Sequence, residues 1–361
     1  MKRHFPPQIL FAIYERFLQL QTEQDVEERN IDAVVRWCKE QDWYNPEEHK
    51  ISAQVVYQQV REAIAKEFLI FRPPRRGRLE HDFKEQFGLS GTVAIVDVPT
   101  KTVGRHLATT AATLIMDRIR DVHAEKAASP EKRGDGRVHL GFGAGGTARR
   151  VAHALAQELR SQRFLPPLTI HALTSGFDVK RPLDAPVAFF SYFEDITPAV
   201  DFVGLDSTPV VDCDQFDMAL QQHGVKEALD EAHHIDIVIT SLASGADPHG
   251  LLTAFLNLYE TARASLVRRG HVGDVLMQPY GNNGPLPLKR GIRAVTLFDL
   301  AGLLDLARTD GKHVVLVAGP CERCGAHKAD ALRTLLTVPE LRVCNHLVTD
   351  VTTAEALLRL D

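Results

Sequence analysis

Two hydrophobic periods divide the chain. Up to about residue 70, apolar residues recur every three or four positions in ILFAIYERFLQL, IDAVVRWCKEQ and AQVVYQQVREAIAKEFL, which predicts amphipathic helices. Beyond residue 90, runs that are apolar throughout alternate with helical patterns. The runs are VAIVDV, VHLGFG, LTIHALTSG, FVGLDS, IDIVITSLASG, GDVLMQP, HVVLVAG and HLVTD. The helical patterns include GRHLATTAATLIMDRI, TARRVAHALAQEL, VKEALDEAHH, LLTAFLNLYETARASLV, KADALRTLL and TTAEALLRL. Strands without polar alternation are buried on both faces, so the pattern predicts an α/β fold: a mostly parallel sheet with helices on both faces. A small helical domain precedes it. FRPPRRGR, with Arg72, Arg75, Arg76 and Arg78, reads as a basic linker, which places the domains at 1–78 and 79–361.

Composition adds little. The 361 residues are 44% hydrophobic and 25% charged, with a net charge of −5, so bulk charge signals neither nucleic acid nor membrane. Five cysteines do not make a disulfide framework. No run approaches the ~18 apolar residues of a membrane span. MKRHFPPQILFAIYERF is interrupted by Glu15 and Arg16 and does not read as a signal peptide. The expectation is a soluble cytoplasmic protein with no membrane partner.

The candidate chemistry lies at strand ends, where ligands bind in such sheets. GFGAGGT (141–147) joins an apolar strand to a helix. Gly143, Gly145 and Gly146 allow close backbone approach, the helix start offers unpaired N–H groups, Thr147 adds a hydroxyl and Arg149 or Arg150 a charge. Phosphate suits this loop. It lacks the lysine of a Walker loop, and the next strand lacks the acid of a dinucleotide site. A tight turn with no ligand is the plain alternative. Other strand ends supply Ser175 and Gly176, Ser244 and Gly245, Asp274, and Lys328 before a helix. Hydroxyls, glycines, an acid and a lysine suit a sugar phosphate. Asp350 reads better as the N-cap of the last helix.

In order, LEHDFKEQFGL, GFGAGGTA, LTSG, IDIVITSLASG, GHVGDVL, VVLVAG followed by Lys328, and HLVTDVTTAEALL resemble the effector domain of the SorC family of sugar-responsive transcriptional regulators. The resemblance runs from about Leu79 to the end. It implies a fold like that of glucosamine-6-phosphate isomerases, a phosphorylated sugar effector on the 141–147 loop with Asp274 and Lys328 facing it, and a homodimer or homotetramer. VAGPCERCGAHK is longer than the family's usual run to the lysine. The resemblance also implies a helix-turn-helix that binds double-stranded operator DNA. Here ISAQVVYQQVREAIAKEFLIF is the candidate recognition helix: Ser52 caps it, Val55, Val56, Val60 and Ile64 face inward, and Gln54, Gln58, Gln59 and Arg61 face out toward bases or phosphates. Ala53 and Tyr57 depart from the family, and a helical oligomerisation segment is the alternative reading.

Cys321-x-x-Cys324 and Cys344-x-His346 have zinc-like residue types. They flank opposite ends of predicted parallel strands, so they should not converge, and no metal or cofactor is expected. His233-His234 reads as a surface pair. The same fold carries sugar-phosphate isomerases, whose chemistry needs an acid and a base at the sugar carbonyl. Asp274 suits one role, with His249 in GADPHGLL the nearest partner. A non-enzymatic sensor that regulates transcription is the preferred reading.

Overall fold

The computed structural model describes residues 9, 12–13, 16–17, 31–47, 50–65, 73–99, 102–128, 136–162, 164–176, 178, 180–288, 291–321 and 323–358, without the side chains of 62–65. Arg72 and the Ile64 side chain therefore lie outside the described residues. The chain divides into two compact units, Met1–Phe71 and Arg72–Asp361.

In the first unit, helices α1 (Ile31–Lys39) and α2 (Ala53–Ala65) share a core of Ile13, Ala33, Val34, Cys38, Ile51 and Val56. Residues 40–52 join them, longer than the three or four residues of a helix-turn-helix turn. Ser52 Oγ accepts from Val55 N at 3.4 Å and so caps α2. Gln54, Tyr57, Gln58 and Arg61 are exposed. Gln59 is not: it follows Val56 by three, falls on the inward stripe and is buried. The expectation that Gln59 faces outward is thus corrected.

The second unit begins before the expected break at 78. Arg75 forms a bidentate pair with Glu80 at 2.7 and 2.8 Å, and Arg76 Nε donates to Asp97 at 2.6 Å. These arginines, read from the sequence as part of a basic linker, anchor α3 (Gly77–Phe87) to the start of the sheet.

The strands are β1 (Val93–Val96), β2 (Val138–Phe142), β3 (Leu168–Ala172), β4 (Asp201–Val203), β5 (Val210–Asp212), β6 (Ile237–Ser244), β7 (His271–Val275), β8 (Gln278–Gly281), β9 (Gly284–Pro285), β10 (Ile292–Ala294), β11 (His313–Ala318) and β12 (His346–Asp350). Seven pair in parallel in the order β1-β12-β11-β6-β2-β3-β4. Alternate residues enter two cores. Ile237 and Ile239 of β6, Val315 and Val317 of β11 and Leu140 of β2 pack with α4 (Val103–Ala128) and α5 (Gly146–Arg160). Val238, Val314 and Leu316 pack with α3, α6 (Val225–Glu231), α9 (Leu300–Arg308), α10 (Ala329–Thr337) and α11 (Val351–Leu358). The predicted α/β fold, with a mostly parallel sheet covered on both faces, is the observed one.

Two patterns resolve differently. LLTAFLNLYETARASLV makes two helices, α7 (Leu251–Leu256) and α8 (Glu260–Arg268). Buried Leu256 and Ala262 are six apart, a step one helical face cannot take. GDVLMQP is not one strand but the turn of an antiparallel hairpin, β7–β8, attached to the end of β6. The small β5–β10 ribbon had no sequence signal.

One buried acid ties the sheet's amino edge together. Asp236, just before β6, accepts from Lys126 Nζ of α4 at 2.6 Å, from the His139 backbone N of β2 at 3.0 Å and from Lys312 Nζ before β11 at 3.0 Å. Removing one member of a buried charged network strands the rest. Asp236→Ala should therefore lower unfolding free energy by about 3 kcal/mol. Asp230→Ala, which breaks the exposed Lys226–Asp230 pair, should leave the urea midpoint in place. Urea melts of the two variants compare them; equal midpoints would contradict this account.

Candidate functional site

The helices after β2 and β11 leave for opposite faces of the sheet, α5 to one and α10 to the other. β6 lies between them. Diverging connections open a crevice at the carboxyl ends of the strands. A cleft of about 830 Å³, open mouth included, occupies it.

One wall is the start of α5. Gly145, with φ +117°, is its N-cap and makes no side-chain cap. Gly145 N donates to Asp184 O at 2.8 Å, which anchors the loop. The next three residues, Gly146, Thr147 and Ala148, present first-turn N–H groups, which have no intrahelical acceptors. Gly146, Thr147 and Arg150 line the cleft together, as one helical face. Arg181, Arg323 and Lys328 add three more cations, against Asp184, Asp247 and Asp274.

The floor holds two buried polar atoms without partners. Thr174 Oγ1 and Asp274 Oδ2 make no hydrogen bond, although Thr174 is 1% and Asp274 5% exposed. Both residues line the cleft. Desolvation pushes the Asp274 carboxyl up to about 7; the nearby Lys328 and the Met277 N–H oppose this, and Asp247 adds to it. Lys328 Nζ donates to Leu242 O at 2.9 Å, which fixes it beside the acid. Beyond Asp274 the hairpin turns at Leu276 and Met277, with φ of 51° and 59°. Both line the cleft, and Val275 pairs with Gln278, so the two form a two-residue turn in the left-handed region. Such conformations usually call for glycine or asparagine.

No sequence profile of a known protein family matches the chain, and no curated protein sequence does. Solved structures do. The full-length sorbitol operon regulator SorC of Klebsiella pneumoniae matches with a TM-score of 0.63 at 16% identity, over 98% of this chain and 100% of that one. A probable sor operon regulator from Shigella flexneri matches with a TM-score of 0.57 at 17% identity, over 78% of this chain and 98% of that one. A DeoR family transcriptional regulator from Listeria monocytogenes matches with a TM-score of 0.57 at 18% identity, over 78% and 98%. The chain has the SorC fold. Among the described residues, no helix is long and apolar enough to cross a membrane.

Within this SorC fold, the strand-end residues sort into two groups. Gly145, Gly146, Thr147, Asp274 and Lys328 line the cleft. The others do not. A Cβ at Gly143 would stand 2.6 Å from Leu276 Cδ2, so this glycine lets the strand end pack under the hairpin turn. Arg149, one position off the cleft face of α5, reaches Asp184 at 3.4 Å while Arg150 lines the cleft. Ser175 Oγ donates to Thr208 O at 2.7 Å, and Gly176 packs under Pro209, so Thr174 is the cleft residue of that loop. Ser244 Oγ accepts from Ala246 N at 3.3 Å within the turn after β6, and Gly245 N donates to Val272 O of the hairpin at 2.7 Å; neither lines the cleft. Asp350 caps α11, accepting from Thr353 N at 3.0 Å.

Sequence reasoning missed Arg181, Asp184, Asp247 and Arg323. Arg181 and Asp184 lie between strands in a segment with no periodic pattern. Arg181 donates to His249 O at 2.6 Å, so it braces the neighbouring loop. Cys344 and His346 stand at the opposite edge from Cys321, as their strand positions implied. His346 Nδ1 accepts from Thr92 N at 2.9 Å, so its Nε2 carries the proton and donates to His313 Nδ1 at 3.0 Å. Both nitrogens are used.

Asp274 makes stability depend on pH. Its folded carboxyl keeps its proton to about 7, whereas an unfolded aspartate loses it near 3.8. Between those values the native state holds the extra proton. The stability is full below the lower value and falls as pH rises through the higher one. Asp274→Asn mimics the protonated acid. It should stabilise the ligand-free protein by a few kcal/mol at pH 8, at ~1.4 kcal/mol per pKa unit, and much less at pH 5. Urea midpoints at both pH values test this; an equal gain at both would contradict it.

Proposed function

We propose that the protein is a transcriptional regulator whose second unit binds a phosphorylated sugar, and whose first unit binds operator DNA with an affinity that the sugar alters. The observation that carries the effector reading is the cleft: helix N–H groups, Thr147 and four cations line it together with the unpartnered Thr174 Oγ1 and Asp274 Oδ2. Helix starts and cations suit a phosphate. Buried orphan groups cost free energy unless a ligand pairs with them, and sugar hydroxyls can donate and accept at once. The solved structures the chain resembles, a sorbitol operon regulator and other transcriptional regulators, point the same way. In a homodimer or homotetramer, effector binding would favour one arrangement of subunits and so change the fit to a two-fold operator.

Thermal melts of the full-length protein against phosphorylated sugars and their unphosphorylated counterparts test the effector reading, because a ligand of the native state raises the melting temperature. A phosphosugar should raise it and its unphosphorylated counterpart should not. Thr147→Ala and Lys328→Met should weaken the affinity, the latter by ~10-fold or more since a charged hydrogen bond contributes ~1.5–3 kcal/mol. Unchanged affinity in both would contradict the assignment.

A second reading, a sugar-phosphate isomerase, draws on Asp274, held at about 7, and on His249, whose Nδ1 lies 3.4 Å from Asp247 Oδ1. The same melts separate the two readings. Sugar recovered unchanged supports the regulator, and sugar converted supports the enzyme.

DNA binding draws on exposed Gln54, Gln58 and Arg61 of α2, with Ser52 as its cap. Operator fragments selected from a genomic library should bind the full-length protein with strong salt dependence. Arg61→Ala should reduce the slope of log K against log salt by about one. A slope that does not move would remove Arg61 from the interface.

A further inference from the structure

A second cluster of chemical groups borders the cleft without entering the effector reading. Asp247 and His249 come from the loop between β6 and α7, Cys321 and Cys324 from the loop between β11 and α10. One ligand atom from each lies within 4.8 Å of every other. His249 Nδ1 faces two of them at once: Cys321 Sγ at 3.6 Å and Asp247 Oδ1 at 3.4 Å. A single ring nitrogen can donate to only one. A tetrahedral zinc ion, with Zn–S ~2.3 Å and Zn–N and Zn–O ~2.0–2.1 Å, sets its ligands ~3.5 Å apart for S···N and ~3.3 Å apart for N···O. The observed separations match both values.

The backbone around the cluster is built to hold it. Asp247 Oδ1 also accepts from the His249 backbone N at 2.9 Å, which orients the carboxylate and the imidazole together. Arg181 clamps His249 O. In the other loop, Cys321 N donates to Ala326 O at 2.8 Å and Gly325 N to Cys321 O at 2.6 Å, which closes a tight turn. Gly325, with φ +72°, completes the turn after the second cysteine. The backbone N–H groups of Arg323 and Cys324 point at Cys321 Sγ.

We propose that Asp247, His249, Cys321 and Cys324 form a structural zinc site that pins the 319–328 loop, and with it Lys328, against the loop after β6. Two thiolates, an imidazole and a carboxylate select zinc over the harder divalent ions. Four protein ligands leave no open position, so the metal clamps the loops and does not activate water. Filling the site displaces two thiol protons as the dication binds, so its net charge is unchanged and the anion-binding character of the cleft stays with the cations and α5. The proposal stands independently of the phosphosugar reading.

The test titrates reduced full-length protein, purified without chelator or sugar, with cobalt(II) followed by zinc(II). A tetrahedral dithiolate site should produce an intense thiolate-to-cobalt charge-transfer band that saturates stoichiometrically and disappears as zinc displaces cobalt. Cys324 is exposed, so Cys324→Ser should fold normally. It should keep at most half the band and lose more affinity than the ~100-fold that second-shell changes cost. His249→Gln should weaken binding comparably, and Cys213→Ser should not. No charge-transfer band in the wild type, or a band and affinity unchanged in both Cys324→Ser and His249→Gln, would overturn the site.

Discussion

The buried carboxylate of Asp236 sets the polarity of the second unit. It gathers an α4 lysine, the start of β2 and the approach to β11 at the amino edge of the central strands. A charge buried this deeply needs partners on several sides. With that edge tied, β2, β6 and β11 run from a common anchor, and their carboxyl ends become the free edge. The histidine pairs His139–His171 and His313–His346 belong to the same anchored sheet. Burial holds His171 and His346 down to about 3, so they stay neutral and serve packing. Of the buried polar atoms without partners, Thr174 Oγ1 and Asp274 Oδ2 belong to residues that line the cleft, whereas His171 Nδ1 and His313 Nε2 stand at the anchored edge.

The cleft wall also carries backbone strain. Leu276 and Met277 occupy left-handed conformations that cost ~1–3 kcal/mol each for residues other than glycine. Burial of both side chains offsets this: Leu276 packs over the end of β2 and Met277 into the cluster of Leu252, Leu256 and Leu288. An Asn-Gly turn would relax the backbone and remove both contacts. The tight turn brings Asp274 to the floor, since the Met277 N–H turns back on its carboxyl. Strain, burial and a raised acid are one local arrangement.

The fold was legible where burial repeats with a period. Strands inside a two-sided sheet are apolar at every position, and the eight runs read from the sequence each correspond to part of the observed sheet. Short elements were not legible: β5 and β10 have three residues each, too few to show a period. The site was legible at glycines and at a helix start, because those requirements are local. It was less legible where a side chain's direction depends on neighbours. Arg149 and Arg150 are equivalent as letters, and only the phase of α5 sends Arg150 to the cleft. Ser175 and Thr174 differ likewise, because the segments flanking the β5–β10 ribbon, invisible in the sequence, take Ser175 through Thr208 O and Val295 O. Gln59 looked exposed by its chemistry and is buried by its spacing from Val56.

The CxxC segment shows why an insertion is informative. A longer loop between β11 and α10 would ordinarily let Lys328 wander, since each added residue adds conformations to lose. Lys328 nevertheless sits beside Asp274, because α10 begins directly after it and its ammonium is tied to Leu242 O. The extra length instead loops out over the cleft and carries two thiols to Asp247 and His249. Whatever joins those four groups joins the β6 and β11 loops, which between them supply an acid, a histidine, an arginine and a lysine to the cleft. The connection is short because β6 and β11 are adjacent strands. The cleft lining and the cluster of Asp247, His249, Cys321 and Cys324 therefore share the same two loops.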